Sequence, residues 1–271
     1  MRVFATLGGL FLLGCSAPEF QTVNPQDSGT ADTIGVQDGA FPDAQSDTAP
    51  AESGPACNEV IAFDAPVSAD THLDANYPST GAANNGGALD ELLVASAVTL
   101  PSPTAQFVAL MRFKLTMVPA GAELLSLSLK VTTVSPATPS AGSARVYFTR
   151  SEWSEGTGAY DGATWANRVA VCTGCPGGAP ENGCCTYTET WHGAGATAPK
   201  DRAALPAANV DFSATPGPVE IALDLSTLGT FGGAAITVQV VAVPDDATKV
   251  WLAAHGRSGA AVLTGTYCAP I

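Results

Sequence analysis

Short runs in which apolar and polar residues alternate set the strongest limit on what this chain can fold into. They begin at Val60 and are separated by Gly, Pro, Asn and Asp, which is typical of β-strands joined by turns. In the run 125–131, the leucines and Val131 are expected to face one side of a sheet, and the serines and Lys130 the other. The predicted strands are Val60–Phe63, Ser68–Asp74, Glu91–Ala95, Gln106–Leu115, Glu123–Thr133, Ala144–Thr149, Val219–Leu225, Ala235–Val243, Lys249–Ala254 and Ala260–Tyr267.

Helices are not expected in this part of the chain. No segment carries an apolar stripe of helical period for more than two turns, and 226–228 could form one short turn. Many strands without crossover helices imply antiparallel pairing, and the hydrophobic content of 46 % supplies a sizeable core. We therefore predict an all-β fold, a single antiparallel β-sandwich of the jelly-roll type, over residues 57–271. The chain has no internal repeat, which argues against a propeller or a solenoid.

The first fifteen residues have the order of a bacterial lipoprotein signal. Arg2 gives a positive start, residues 3–13 are apolar, and Gly14 directly precedes Cys15. We expect residues 1–14 to be removed as a signal peptide and Cys15 to be acylated, and two or three acyl chains would anchor the protein stably. A secreted protein with a chance cysteine is the alternative. The apolar run is too short for a transmembrane helix of about 20 residues. Because Ser16 follows the cysteine, the expected location is the bacterial outer membrane or cell surface.

Residues 15–56 are expected to form the lipidated cysteine and a disordered acidic linker. After Cys15 this stretch contains several Asp and no Lys or Arg, with too few apolar residues to offset the entropy of ordering. The whole chain has a formal net charge of −14, from 11 Lys and Arg against 25 Asp and Glu. This charge argues against nucleic acid as a partner and against electrostatic binding to anionic lipid. Contact with a membrane is therefore expected through the acyl chains.

The six cysteines after Cys15 form an even set, as expected for disulfides in an oxidising compartment. Cys57 opens the predicted domain and Cys268 nearly closes it, so we predict that these two are joined. The other four lie close together and are expected to form two local bridges whose connectivity the sequence leaves open. A zinc site is the alternative, because two of them form a C-x-x-C. These four are Cys172, Cys175, Cys184 and Cys185.

Several segments in order carry a resemblance to a known family. They read ADTHLD at 69–74, NNGG at 84–87, LLV at 92–94, LMRFKL at 110–115, VPAGA at 118–122, LSLSLK at 125–130 and VLTGTY at 262–267. The most specific are WSEGTG at 153–158 and GATW at 162–165, and Trp191 with 193–195 resembles a later element. Together they resemble the DNRLRE-type domain, over about residues 64–267.

The chain departs from the family pattern at a few positions. His72 stands where the family usually has an aromatic residue such as Tyr, Lys114 replaces an Asp, and the insertion 172–185 is extra. The resemblance implies a jelly-roll module of secreted and surface proteins. It also implies a relationship to carbohydrate-binding modules, including ones that bind alginate-like acidic polysaccharides.

Scarce cations on predicted strands suggest where such a ligand would bind. Arg112 and Lys114 share one strand face by their spacing of two, and Arg145 and Tyr147 share another. Arg150 lies just before the WSEGTG segment. If these faces meet, they form a cationic strip that would attract a uronate on an otherwise acidic protein. The alternative is that Arg112 and Lys130 pair with carboxylates at the surface or edge of the sandwich.

No cofactor is expected, although a structural Ca²⁺ is an alternative. Jelly-roll modules often hold such an ion at a strand end with oxygen ligands. The candidate ligands are Asp64, Asp70 and Asp74, and their spacing is not that of an EF-hand. Solvated loop carboxylates are the simpler interpretation.

The sequence does not predict an enzyme. It contains no H-E-x-x-H and no G-x-S-x-G. Two of the three carboxylates Glu152, Glu155 and Asp161 could serve as the catalytic pair of a glycosidase. Glu155, however, is expected to hold a turn through backbone N–H groups. The predicted function is a lipid-anchored, non-catalytic surface protein that binds extracellular acidic polysaccharide. A structural or adhesive lipoprotein with a protein partner is the alternative, and a polysaccharide-degrading enzyme is the third.

Overall fold

The computed structural model describes residues 57, 59–75, 90–96, 106–134, 141–155, 162–172, 185–232 and 234–269. For 170–172 and 185–188 it describes the backbone alone. The predicted signal peptide, Cys15, the predicted linker, Cys175 and Cys184 lie outside these residues. Within them, no helix has the length and apolar character needed to cross a membrane.

The described residues form twelve strands, and these strands pair antiparallel. The all-β prediction is confirmed. A short 3₁₀ turn at Leu225–Thr227 lies close to the turn expected at 226–228. The strands are β1 Val60–Asp74, β2 Glu91–Ala95, β3 Phe107–Lys114, β4 Glu123–Val134, β5 Gly142–Thr149, β6 Asn167–Cys172, β7 Cys185–Thr190, β8 Ala208–Phe212, β9 Gly217–Ala222, β10 Ala235–Ala242, β11 Lys249–Ala253 and β12 Val262–Cys268.

Six of the strands close into a ring, so the two layers of the sandwich are continuous. The ring runs β1–β12–β4–β11–β2–β3 and returns to β1, while β10, β5 and β8 continue outward from β3, and β9 pairs with β4. The closure depends on β1, which pairs with β12 through Val60–Pro66 and with β3 through Val67–Asp74. A register shift between Val67 and Ala69 marks the change of partner, as is common where a strand passes from one sheet to another.

The main core is formed by the inward-facing side chains of the ring strands together with those of β5, β8, β9 and β10. Phe113, Phe148 and Leu263 are among its fully buried members. The alternation predicted for β4 is confirmed for its buried residues at 127, 129 and 131, but Leu125 is 41 % exposed. The reason is a bulge: Thr266 pairs with Ser126 and Tyr267 pairs with Leu124, so Leu125 is left without a partner in the register.

A second apolar cluster covers the outer face of the sheet formed by β1, β3, β10 and β5. Trp153 and Trp191 lie over Leu110, Tyr147 and neighbouring residues of that face. Gln239, fully buried on β10, holds the covering layer, since its Nε2 donates to Gly195 O at 2.7 Å. The segments that follow β5 and β7 therefore form a layer outside the sheet.

The predicted bridge between the ends of the domain is confirmed. Cys57 and Cys268 form a disulfide with a Cα–Cα distance of 5.4 Å, and Cys268 is the register partner of Val60. The other cysteine prediction is only partly within the described residues. In the separate two-stranded sheet of β6 and β7, the Cα positions of Cys172 and Cys185 are paired in the register.

Candidate functional site

The site is built at one end of the outer sheet face, where three strands place polar residues side by side. Arg112 on β3 pairs with Thr237 on β10, and Thr237 pairs with Thr149 on β5. Because these positions face outward, away from the main core, they are available to the segment that follows β5. That segment, residues 150–155, turns back across the end of the sheet.

Arg112 contacts the middle of this segment, at residues 152 and 153. Its Nη2 donates a hydrogen bond to Trp153 O and lies 3.7 Å from Glu152 Oε2, and the guanidinium carbon is 4.7 Å from the centre of the Trp153 ring. The Arg112 side chain is 20 % exposed, whereas that of Glu152 is 88 % exposed. An ion pair with so exposed a partner is weak. Arg112 is therefore held mainly by the Trp153 carbonyl and ring.

The segment 150–152 is held in place by Asp201, which sequence reasoning did not single out. Arg150 N donates to Asp201 O at 2.6 Å, and Ser151 Oγ donates to Asp201 Oδ1 at 3.0 Å. Burial alone would raise the pKa of Asp201, but hydrogen bonds from His192, Gly193 and Ser151 hold it below its usual value. Asp201 is thus a buried carboxylate that joins residues 150–151 to residues 192–193 through hydrogen bonds.

Together these elements enclose an open cleft of about 450 Å³. Its floor is the strand ends, one wall is 149–152, and the other is 228–232. Thr149 Oγ1 is buried there and has no hydrogen-bond partner among the described residues. Six lining residues carry side chains that could contact a polar ligand. They are the cations Arg112 and Arg150, the carboxylate Glu152, the hydroxyls of Thr149 and Thr237, and the ring of Phe231.

The structure brings only part of the predicted cationic strip to this cleft. Arg112 lines it, joined by Arg150, while Lys114 is exposed and neighbours the lining residue Ala235 in the register. Arg145 is exposed on β5, and its register partner on β10 is Val241, away from the cleft lining.

The ring of Tyr147 is not accessible to a ligand. It is 6 % exposed in the second cluster, and the Arg202 guanidinium lies 4.0 Å from its ring centre. Arg202 also donates to Gln239 Oε1 at 3.1 Å. The expectation that Tyr147 contributes to a surface strip is therefore wrong, because the covering layer buries that part of the strand face.

The three predicted metal ligands do not converge. Asp64 is exposed on the part of β1 that pairs with β12, whereas Asp70 and Asp74 are buried on the part that pairs with β3. In the described part of the chain, no group of three or more His, Cys, Asp or Glu side chains is arranged to hold a metal ion.

Asp70 instead belongs to a cluster that ties three segments together. Its Oδ2 accepts from His255 N at 2.5 Å, and its backbone N donates to Glu155 Oε1 at 2.8 Å. Burial, with a smaller contribution from the charge of Glu155, raises the pKa of Asp70 to about 6. Glu155 thus binds a backbone N–H, as expected, although the N–H belongs to β1.

Of the three carboxylates considered for a glycosidase, Glu152 lines the cleft and Glu155 does not. Asp161 lies outside the described residues.

His72 is also structural. It is 6 % exposed, its ring packs edge-on against Phe107 with centroids 5.4 Å apart, and burial lowers its pKa to about 4. His72 is therefore a neutral, buried imidazole ring packed against an aromatic neighbour.

No protein-family model matches the chain, and no curated protein matches it significantly.

Proposed function

We propose that this protein is a lipid-anchored, non-catalytic surface protein whose β domain binds an extracellular acidic polysaccharide in the cleft between Arg112 and Arg150. The observation that carries the proposal is the pairing of two arginines in one cleft of a chain whose formal net charge is −14. A local cationic site on an acidic protein focuses anionic ligands at that place. Guanidinium groups suit the task because they bind carboxylates with two parallel hydrogen bonds.

The remaining lining suits a sugar. Glu152 and the hydroxyl of Thr237 can hydrogen-bond to sugar hydroxyls, and Phe231 offers apolar contact to the carbon face of a ring. The side-chain hydrogen bond and ion pair of Arg112 both run through Nη2, and a guanidinium has five N–H donors. A polar group of the ligand at the cleft floor would give Thr149 Oγ1 the hydrogen-bond partner that buried hydroxyls normally have.

The lipid anchor and the family relationship are proposed on the sequence. The order of Arg2, the apolar run and Gly14–Cys15 supports acylation and a place on the outer membrane or cell surface. The motifs around Trp153 and Trp165 support a relationship to DNRLRE-type domains. A shared fold does not by itself carry a shared function, so the ligand is argued from the cleft.

The test is affinity electrophoresis of the full chain in detergent with polygalacturonate, alginate and a neutral glucan. We expect retardation by an acidic glycan and none by the neutral one. Arg150→Ala should weaken binding about tenfold, since it removes one charge-assisted contact. Arg145→Ala is the matched control, because it removes the same charge from β5 outside the cleft.

The outcomes separate the proposal from its rivals. Equal loss in Arg145→Ala and Arg150→Ala would favour a diffuse strip over the cleft. No retardation by any acidic glycan would overturn the proposal in favour of a structural or adhesive lipoprotein with a protein partner. Release of reducing ends from the glycan would instead indicate an enzyme.

A further inference from the structure

A second, smaller depression adjoins the cleft. It has a volume of about 210 Å³ and shares Arg150 and Gly229 with the cleft lining. Its other lining residues include Ala204, Leu205 and Thr227. Because two residues belong to both linings, the depressions are neighbours on one continuous surface, and Arg150 and Gly229, from the two walls of the cleft, border both.

The two depressions differ in chemistry. The cleft holds Arg112 and Glu152, whereas the second depression is lined by short apolar side chains, by hydroxyls and by Leu205, which is 68 % exposed. Such a surface suits the carbon face and hydroxyls of a sugar ring more than a second isolated carboxylate. A single sugar unit placed in the cleft would leave this surface uncovered.

Arg150 is placed to serve both depressions. Its backbone is fixed by Asp201, while its side chain is exposed and, within the described part of the chain, makes only a long contact of 3.4 Å from Nη1 to Pro199 O. Gly229 has a φ of +76°, and a side-chain Cβ at this position would meet nothing within 4 Å, so the space beside residue 229 is open. A chain can therefore pass from one depression to the next without meeting a side chain at residue 229.

From this arrangement we infer that the site has two consecutive subsites and recognises at least two consecutive units of an acidic polysaccharide, not a single sugar unit. The inference rests on the proposed function. The carboxylate of one uronate unit binds Arg112 in the cleft, and the next unit lies in the second depression, with its carboxylate at Arg150 and its ring over Leu205. Consecutive uronate units supply such repeated carboxylates, one on each ring.

Calorimetry of the full chain in detergent with galacturonate monomer, dimer and tetramer tests this. The wild type should bind the tetramer at least tenfold more tightly than the monomer. Leu205→Ser should weaken tetramer binding about fivefold through lost apolar contact and leave monomer binding unchanged. Leu125→Ser is the matched control, since it removes an exposed leucine from β4 outside both linings, and it should leave all affinities unchanged.

The failures are distinguishable. Equal affinity for monomer and tetramer, with both weakened by Arg150→Ala, would overturn the subsite inference and leave the proposed function intact. Tetramer binding that is unchanged in Leu205→Ser would overturn the assignment of the second depression. Absence of binding to these oligomers, to polygalacturonate and to alginate would overturn the proposed function and the inference with it.

Discussion

Replacing Asp70 with Asn should change how the stability of this protein depends on pH. Asp70 is 1 % exposed, and burial raises its pKa from 3.8 to about 6. Between these values the folded protein holds a proton that the unfolded chain has released. Stability therefore rises as pH falls through this window. From about pH 7 to about pH 4.5, protonation of Asp70 adds about 2 kcal/mol to the free energy of unfolding.

An Asn at position 70 keeps an oxygen that can accept from His255 N but does not titrate. Asp70→Asn should therefore be less stable, relative to wild type, at the lower pH than at the higher pH. The change in that difference should be about 2 kcal/mol. Urea unfolding of the full chain with its disulfides intact, followed by tryptophan fluorescence at both pH values, measures it. The same stability difference at both pH values would refute the account of Asp70.

His72, two residues along the same strand, should act in the opposite sense. Burial lowers its pKa from 6.5 to about 4, so on acidification the unfolded chain takes up a proton before the folded protein does. Stability falls as pH drops, by about 2 kcal/mol from about pH 7 to about pH 4.5. His72→Phe should remove this loss, while Asp70→Asn removes the gain. Shifts of the same sign in the two variants would contradict the assignment of the two buried groups.

Three further predictions concern the anchor and the disulfides. Cys15→Ala should abolish palmitate labelling and leave uncleaved precursor, and unchanged label would contradict the lipobox interpretation. In the double variant Cys57→Ser/Cys268→Ser, the free energy of unfolding should fall by about 5 kcal/mol, because the bridge closes a long loop in the unfolded chain. Urea unfolding measures this change. A loss near zero would show that the bridge constrains the unfolded chain little. Non-reducing peptide mapping should recover Cys172 linked to Cys185, as the register pairs them, while free thiols with stoichiometric zinc would support the metal alternative.

The strands were predictable where one face packs on the core and the other faces outward. Glu91–Ala95 is β2 with the predicted bounds, and the predictions for β3, β4, β10 and β11 differ by a residue or so. The runs Val60–Phe63 and Ser68–Asp74 are one strand, because Pro66 lies just before a bulge instead of ending the strand. Strands β6, β7 and β8 were not predicted, although β8 alternates apolar and polar residues along its five positions, ANVDF.

The site was less predictable, because its position depends on residues far apart in the chain. A spacing of two correctly places Arg112 and Lys114 on one strand face, but it cannot show that the covering layer buries Tyr147 on the same side of the sheet. The placement of Arg150 depends on its bond to Asp201, about 50 residues later. Neither an Arg at position 150 nor an Asp at position 201 indicates this contact in the sequence.

The most direct test of the binding cleft is the salt dependence of polygalacturonate binding, measured by calorimetry at about 0.01 M and about 0.15 M ionic strength, where exposed charges are screened over about 30 Å and 8 Å. The comparison is between wild type, Arg150→Ala and Arg145→Ala. Binding through the cleft predicts that Arg150→Ala weakens binding about tenfold at low salt and less at high salt, while Arg145→Ala matches wild type at both. Equal effects of the two substitutions, or binding that ignores both salt and Arg150, would contradict it.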